Sequence, residues 1–171
     1  MPEVEIAVAG LDERPLLANL LQFYMHDFSE YWAGEVIGEL EDDGRFEDYP
    51  LDSYWNEPDR IPLLLRLHGR PVGFALLNRW GHFGEPVDRN MSEFFVVRKH
   101  RGGGIGQAAA QAIFSRYPGA WEVAVARRNP RALPFWRRSI TSYPCARDVV
   151  ETDVDNEIWN GQVLRFRVTG S

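Results

Sequence analysis

Four glycines in five positions, Gly102-Gly103-Gly104-Ile105-Gly106, are the most chemically suggestive stretch of this 171-residue sequence. Ahead of them run the apolar residues Phe94-Phe95-Val96-Val97 and the basic residues Arg98, Lys99, His100 and Arg101. Behind them lies an alanine-rich segment ending at Phe114. Glycine admits positive φ and lets a ligand approach the main chain closely. The first N–H groups of a helix have no partner within it, and the helix dipole adds partial positive charge there. A strand, a glycine turn and a helix in that order form a cradle for phosphate. A plain strand-to-helix turn would not need three glycines in a row and a fourth one residue later. Two other phosphate loops fit poorly. A Walker A loop needs Gly-Lys-Ser/Thr where this chain has Gly106-Gln107, and a Rossmann loop follows the first strand rather than about the fourth.

The elements that position this turn are legible from periodicity. Val4, Ile6 and Val8 alternate with polar or small residues and predict a first strand. Gly10 ends it, Asp12 is placed to cap a helix, and Pro15 suits that helix's first turn. Leu16, Leu17, Leu20, Leu21, Tyr24 and Phe28 then share one helical face. From Tyr31 to Asp59 the pattern dissolves into acidic and aromatic residues, with room for one short helix, and such long irregular stretches are usually functional or mobile. Ile61 to His68 and Val72 to Trp80 read as a hairpin turning at Gly69-Arg70-Pro71. Met91 to Val97 is a strand, Ala108 to Phe114 a helix stopped by Pro118-Gly119, and Trp121 to Ala126 another strand. Asn129-Pro130 opens a helix through Phe135, Trp136 and Ile140, and weaker strands follow around Arg147–Thr152 and Gln162–Val168. With no repeat or clear linker, residues 1–171 read as one α/β domain.

Composition narrows the function classes. The chain is 44% hydrophobic and 26% charged, the mix of an ordinary globular protein. No signal peptide or bilayer-length apolar run is recognisable. The single Cys145 excludes an internal disulfide and a Cys-based zinc cluster, and His26, His68, His82 and His100 have no metal-ligand spacing. These features predict a cytoplasmic protein with no metal and no membrane partner. The net charge of −6 is uneven: residues 1–60 carry sixteen Asp and Glu against three Arg, whereas residues 61–171 carry sixteen Lys and Arg against nine Asp and Glu. Solvated surface accounts for this as readily as two ligands of opposite sign. Nucleic acid is a poor candidate, because the acidic half would repel phosphates and the basic half lacks a dense patch.

Arg101-Gly102-Gly103-Gly104-Ile105-Gly106 resembles the Arg/Gln-x-x-Gly-x-Gly/Ala signature with which the GNAT superfamily of N-acetyltransferases binds the pyrophosphate of acetyl-coenzyme A. Asn129-Pro130-Arg131-Ala132, followed by Phe135-Trp136, resembles that family's Asn-x-x-Ala-x-x-Phe-Tyr segment. Ser92-Glu93-Phe94-Phe95-Val96 is similar to a strand of the polyamine and diamine acetyltransferase branch. The resemblance implies an α/β (α+β) fold with a mixed, mostly antiparallel central sheet of about six to seven strands flanked by helices. It also implies acetyl-coenzyme A as donor cosubstrate. Phe94, Phe95 and Val96 would then meet its pantetheine arm, with a strand N–H polarising the thioester carbonyl. Arg101, Gly102, Gly103, Gly104 and Gly106 would hold the pyrophosphate with Ile105 packed behind them, and Asn129, Phe135 and Trp136 would complete the cofactor site.

The acceptor implied is an amine, and the acidic N-terminal half suggests a small cationic one. An alkylamine of pKa ~10.4 is neutral in about one molecule in a thousand near pH ~7.4, a deficit of roughly 4 kcal/mol. A carboxylate or water chain that removes the proton is therefore worth having. Glu93, on the strand that would present the thioester, is the first candidate; a salt-bridged strand residue is the alternative. His26, Asp27, Glu30 and Glu57 are further candidates for steering a cation or relaying a proton. Trp32, Trp55, Trp80 and Trp121 read mostly as core, with Trp32 and Trp55 the two that could instead flank an organic cation. Trp136 stands where many family members place a tyrosine that protonates the leaving thiolate, and an indole N–H is no practical acid. Tyr143 or water would then serve, or no acid is needed, since a thiol pKa of ~8.5 makes the thiolate a tolerable leaving group. Cys145 as an acyl carrier has no nearby histidine in sequence and reads as a small buried filler. A coenzyme A-binding regulatory module and a protein or peptide N-acetyltransferase are the alternatives, and the oligomeric state stays open, a homodimer included.

Overall fold

A computed structural model describes residues 2–170. Seven strands, β1 (Glu5–Val8), β2 (Ile61–Leu67), β3 (Arg70–Asn78), β4 (Arg89–Val96), β5 (Gly119–Ala126), β6 (Ala146–Asp155) and β7 (Asn160–Val168), form one sheet in the order β1-β2-β3-β4-β5-β7-β6. Every neighbouring pair is antiparallel except β4 and β5. The helices are α1 (Arg14–Ser29), α2 (Ser53–Asn56), α3 (Ile105–Arg116) and α4 (Ala132–Thr141). This is the mixed, mostly antiparallel sheet flanked by helices that the resemblance implies. None of the described helices is long and apolar enough to cross a membrane.

Both sheet faces are covered, which explains why β2 and β3 are apolar almost continuously rather than alternating. Leu63 and Leu65 join Ile113, Phe114, Trp136 and Ile140 in the core under α3 and α4. Leu64, Phe74, Leu76 and Phe95 face the other way and pack on Leu17, Leu20 and Leu21 of α1. The β2–β3 turn is tighter than the sequence predicts: His68 and Gly69 take positive φ, while Arg70 and Pro71 belong to β3. Asp12 caps nothing. It lies in a short 3-10 turn, and Glu13 instead reaches back to accept the Gly10 N–H at 3.1 Å.

A buried carboxylate of the sheet is held by a histidine from the turn after β3. Glu122 of β5, 1% exposed, accepts a hydrogen bond from the His82 backbone N–H at 2.9 Å and lies 2.8 Å from His82 Nδ1. Arg165 of β7 approaches it to 3.6 Å. Burial pushes the Glu122 carboxyl up, but the His82 contacts and then Arg165 outweigh it and hold it below the usual value. The Trp80 and Trp159 rings pack on His82. Trp121 is fully buried as expected, whereas Trp80 is 56% exposed.

Candidate active site

β4 and β5 pair at only two positions, Arg89 with Trp121 and Asn90 with Glu122, and then part. Beyond the parting, Phe94, Phe95 and Val96 line a cavity of about 790 Å³. Ser92 bulges from β4, since Leu76 pairs with Glu93 and the next residue, Leu77, pairs with Met91. Such bulges re-aim the side chains beside them.

The glycine turn forms one wall of the cavity through Gly102, Gly104 and Gly106. Gly104 is the residue before α3 and holds φ at +84°, a conformation that costs an L-residue strain. Ala108 N–H bonds back to the Gly104 carbonyl at 2.9 Å, so the amides of Ile105, Gly106 and Gln107 have no acceptor within the helix. Gly106 serves close packing instead: a Cβ there would stand 3.1 Å from Cε2 of Phe135. A Cβ on Gly103 would meet nothing within 4 Å.

Asp27 at the C-terminal end of α1 engages both arginines beside this turn. Arg98 donates to Asp27 Oδ1 at 3.0 Å, and Arg101 Nη2 donates to Oδ2 while its Nε donates to the Val96 carbonyl at 2.7 Å. Burial raises the Asp27 carboxyl, but Arg101 and then Arg98 outweigh it and hold it below its ordinary value. The two guanidinium groups thus already grip an anion beside the open amides. The donor set fits a diphosphate.

Glu93 lies on the α1 side of β4, partly buried. Tyr24 donates its hydroxyl to Glu93 Oε2, and Tyr49 donates to Oε1 at 3.2 Å. Burial raises the Glu93 carboxyl above its ordinary value, and the two phenol hydrogen bonds pull against that rise. Burial and then the Glu93 charge push the Tyr24 phenol well above 10. Tyr24 lines the cavity, and Glu93 is not among the lining residues.

The other expected site residues divide among the cavity, the core and the surface. Arg101, Asn129 and Phe135 line the cavity, as do Asp27 and Glu30. The two acids are paired with arginines, Asp27 with Arg101 and Glu30 with Arg131 at 3.3 Å. Ile105 is buried in the core under α3. Trp136 is buried behind the wall, its ring packed on Phe94 and Phe135 with centroids 5.1 and 4.9 Å away. Tyr143 packs on Phe114 and does not line the cavity, so it is not placed to protonate a thiolate there. His26 is exposed, Glu57 pairs with Arg60 at 2.8 Å, and Trp55 donates to the Ala9 carbonyl at 3.0 Å. These three do not line the cavity. Sequence reasoning missed Tyr24 and Tyr49. The one available signal was a hydroxyl-bearing residue in the otherwise apolar stripe of α1, where a buried phenol needs a partner.

The sheet thus splits between two parallel strands, with a glycine turn entering a helix at the split. Residues 17–140 match the model of the acetyltransferase (GNAT) family, and the chain belongs to it. It is therefore an N-acetyltransferase, and acetyl-coenzyme A is the donor its family uses. No curated protein matches the chain. Among solved structures, an acetyltransferase from Thermus thermophilus superposes with TM-score 0.62 at 19% identity, covering 97% of each chain. PaiA N-acetyltransferase from Thermoplasma acidophilum, in complex with coenzyme A, gives 0.56 at 10% identity over 98% of this chain and 99% of that one. Aminoglycoside acetyltransferase AAC(6')-Ib, in complex with coenzyme A and kanamycin, gives 0.61 at 12% identity over 97% and 95%. Identities this low speak to the fold alone.

Proposed function

We propose that the protein transfers acetyl directly to the nitrogen of a small cationic amine, with Glu93 as the base. The observation that carries this reading is the setting of Glu93: two phenols hold its carboxylate, and among the described residues no cation pairs with it. Asp27 and Glu30, the acids of the cavity wall, are neutralised by arginines. A single uncompensated carboxylate beside the cavity favours an acceptor with one positive charge near its reacting nitrogen. The raised Glu93 carboxyl also brings its basicity closer to neutrality, where a general base works best.

The amides at the start of α3, with Arg98 and Arg101, would hold the diphosphate of the donor. Asn129 and Phe135 would flank its arm where β4 and β5 separate. When bound, acetyl-coenzyme A supplies an acetyl thioester whose C–S bond breaks as the C–N bond to the acceptor forms, the thiolate departing. Trp136 is buried and lacks a transferable proton, so the chain leaves that thiolate to solvent.

The test is thiol release from acetyl-coenzyme A with a panel of small monoamines, polyamines and peptides. Saturable release with small monocationic amines is the expected result. Release with peptides alone would overturn the acceptor reading in favour of a protein-modifying enzyme. Glu93→Gln is expected to lower kcat by roughly 10²–10⁴, the usual worth of a general base, with coenzyme A affinity unchanged.

A further inference from the structure

Glu93 is not among the residues that line the cavity, whereas Tyr24, whose hydroxyl hydrogen bond it accepts, is. The Tyr24 ring is fixed on several sides: its centroid lies 4.7 Å from Phe28, 5.6 Å from Phe74 and 6.0 Å from Phe95. Its hydroxyl is committed to Glu93 Oε2, while Tyr49 occupies Oε1. Tyr24 is thus the residue that touches both the cavity and Glu93.

We infer that Tyr24 is a catalytic residue that relays the acceptor's proton to Glu93. The inference rests on the proposed role of Glu93 as base. The acceptor's ammonium nitrogen gives a proton to Tyr24 Oη as the phenol's own proton passes along the existing hydrogen bond to Glu93 Oε2. The neutral nitrogen then attacks the thioester, and the second proton it loses, as the C–N bond forms and the C–S bond breaks, leaves with the thiolate to solvent. Tyr24 ends as a neutral phenol, Glu93 as a carboxylic acid, and the acceptor as a neutral amide. Glu93 returns the proton to solvent before the next turnover. The relay never requires a free phenolate. That matters because burial and the neighbouring carboxylate make ionising Tyr24 alone costly. A hydroxyl is at once donor and acceptor, so it can pass a proton on without holding a charge.

Tyr24→Phe tests this while keeping the ring that fills the space between Phe28, Phe74 and Phe95. Calorimetric titration with coenzyme A should give a Kd within about twofold of wild type, which also reports that the variant is folded. The kcat for the best amine should fall at least about 100-fold. The Tyr24→Phe/Glu93→Gln double variant should be no slower than the worse single variant, since residues acting as one unit do not multiply their losses. In the free protein, 13C labelling of the glutamate carboxyls should show Glu93 titrating at higher pH in Tyr24→Phe, because a donor that stabilised the carboxylate is gone. A wild-type enzyme that turns over beside an equally fast Tyr24→Phe would overturn the relay and leave the base assignment standing. Multiplying losses in the double variant would likewise overturn it, and an unmoved Glu93 titration would overturn the contact on which it stands. Failure of every amine with the wild-type protein would instead overturn the acceptor reading itself.

Discussion

The carboxylate of Asp27 holds the guanidinium of Arg98 at 2.8 Å, joining α1 to the turn that precedes α3. Arg101 shares the same carboxylate. The end of one helix thereby supplies the anion that these arginines would otherwise take from a bound diphosphate. Asp27→Asn is expected to tighten coenzyme A binding by roughly two- to fivefold, the scale of a partly exposed ion pair. Calorimetry in low salt measures it, and the gain should shrink as salt screens the freed arginines.

Gly104 and Gly103 differ in backbone strain and in access to the cavity. Gly104→Ala forces a side chain onto a positive φ and should cost about 1–2 kcal/mol. For a chain of this size each kcal/mol lowers Tm by about 2–4 °C. Gly103→Ala meets no such strain and no neighbour within 4 Å, so its Tm should match wild type. Coenzyme A affinity should fall in Gly104→Ala, whose residue lines the cavity, and hold in Gly103→Ala, whose residue does not; thermal melts paired with titrations measure both.

Glu93 should make its region less stable as pH rises. Its folded carboxyl binds its proton more tightly than the unfolded one does, against an ordinary value of 4.5. The cost of ionising it is absent below that ordinary value and fully present above the raised one. Glu93→Gln cannot ionise. Its stability relative to wild type should therefore improve across that window, as urea unfolding at a series of pH values would record.

Glu122 carries the opposite sign. Its lowered carboxyl contributes stability above the ordinary carboxylate range, and that contribution is lost as pH falls through the folded value. His82→Phe removes the imidazole from a buried carboxylate and should cost about 2–4 kcal/mol near neutrality, less in acid. Unfolding at neutral and acidic pH measures both numbers, and an equal loss at the two would contradict the assignment.

Local pattern was enough for the glycine turn, the strand before it, the α1 stripe and the order of elements, because these are written in adjacent residues. What pairs across the fold was not. Asp27 and Glu30 look like free acids in an acidic half, yet their arginine partners lie more than seventy residues onward. Tyr49 sits in a segment without periodicity, so nothing nearby says that its hydroxyl reaches β4. Trp136 and Tyr143 fall at suggestive positions after the second motif, but their rings pack inward. Their direction is set by how α4 lies on the sheet, which spacing alone does not encode.

The order β5-β7-β6 places β7 between two strands that precede it in the chain. On the ribosome, β5 therefore emerges with one edge unfilled, and it stays so until residues 160–168 have been made. Over that interval the nascent polypeptide presents a template for wrong pairing. A chaperone has most to protect in the last moments of synthesis, and a premature stop after β6 would leave that edge open for good.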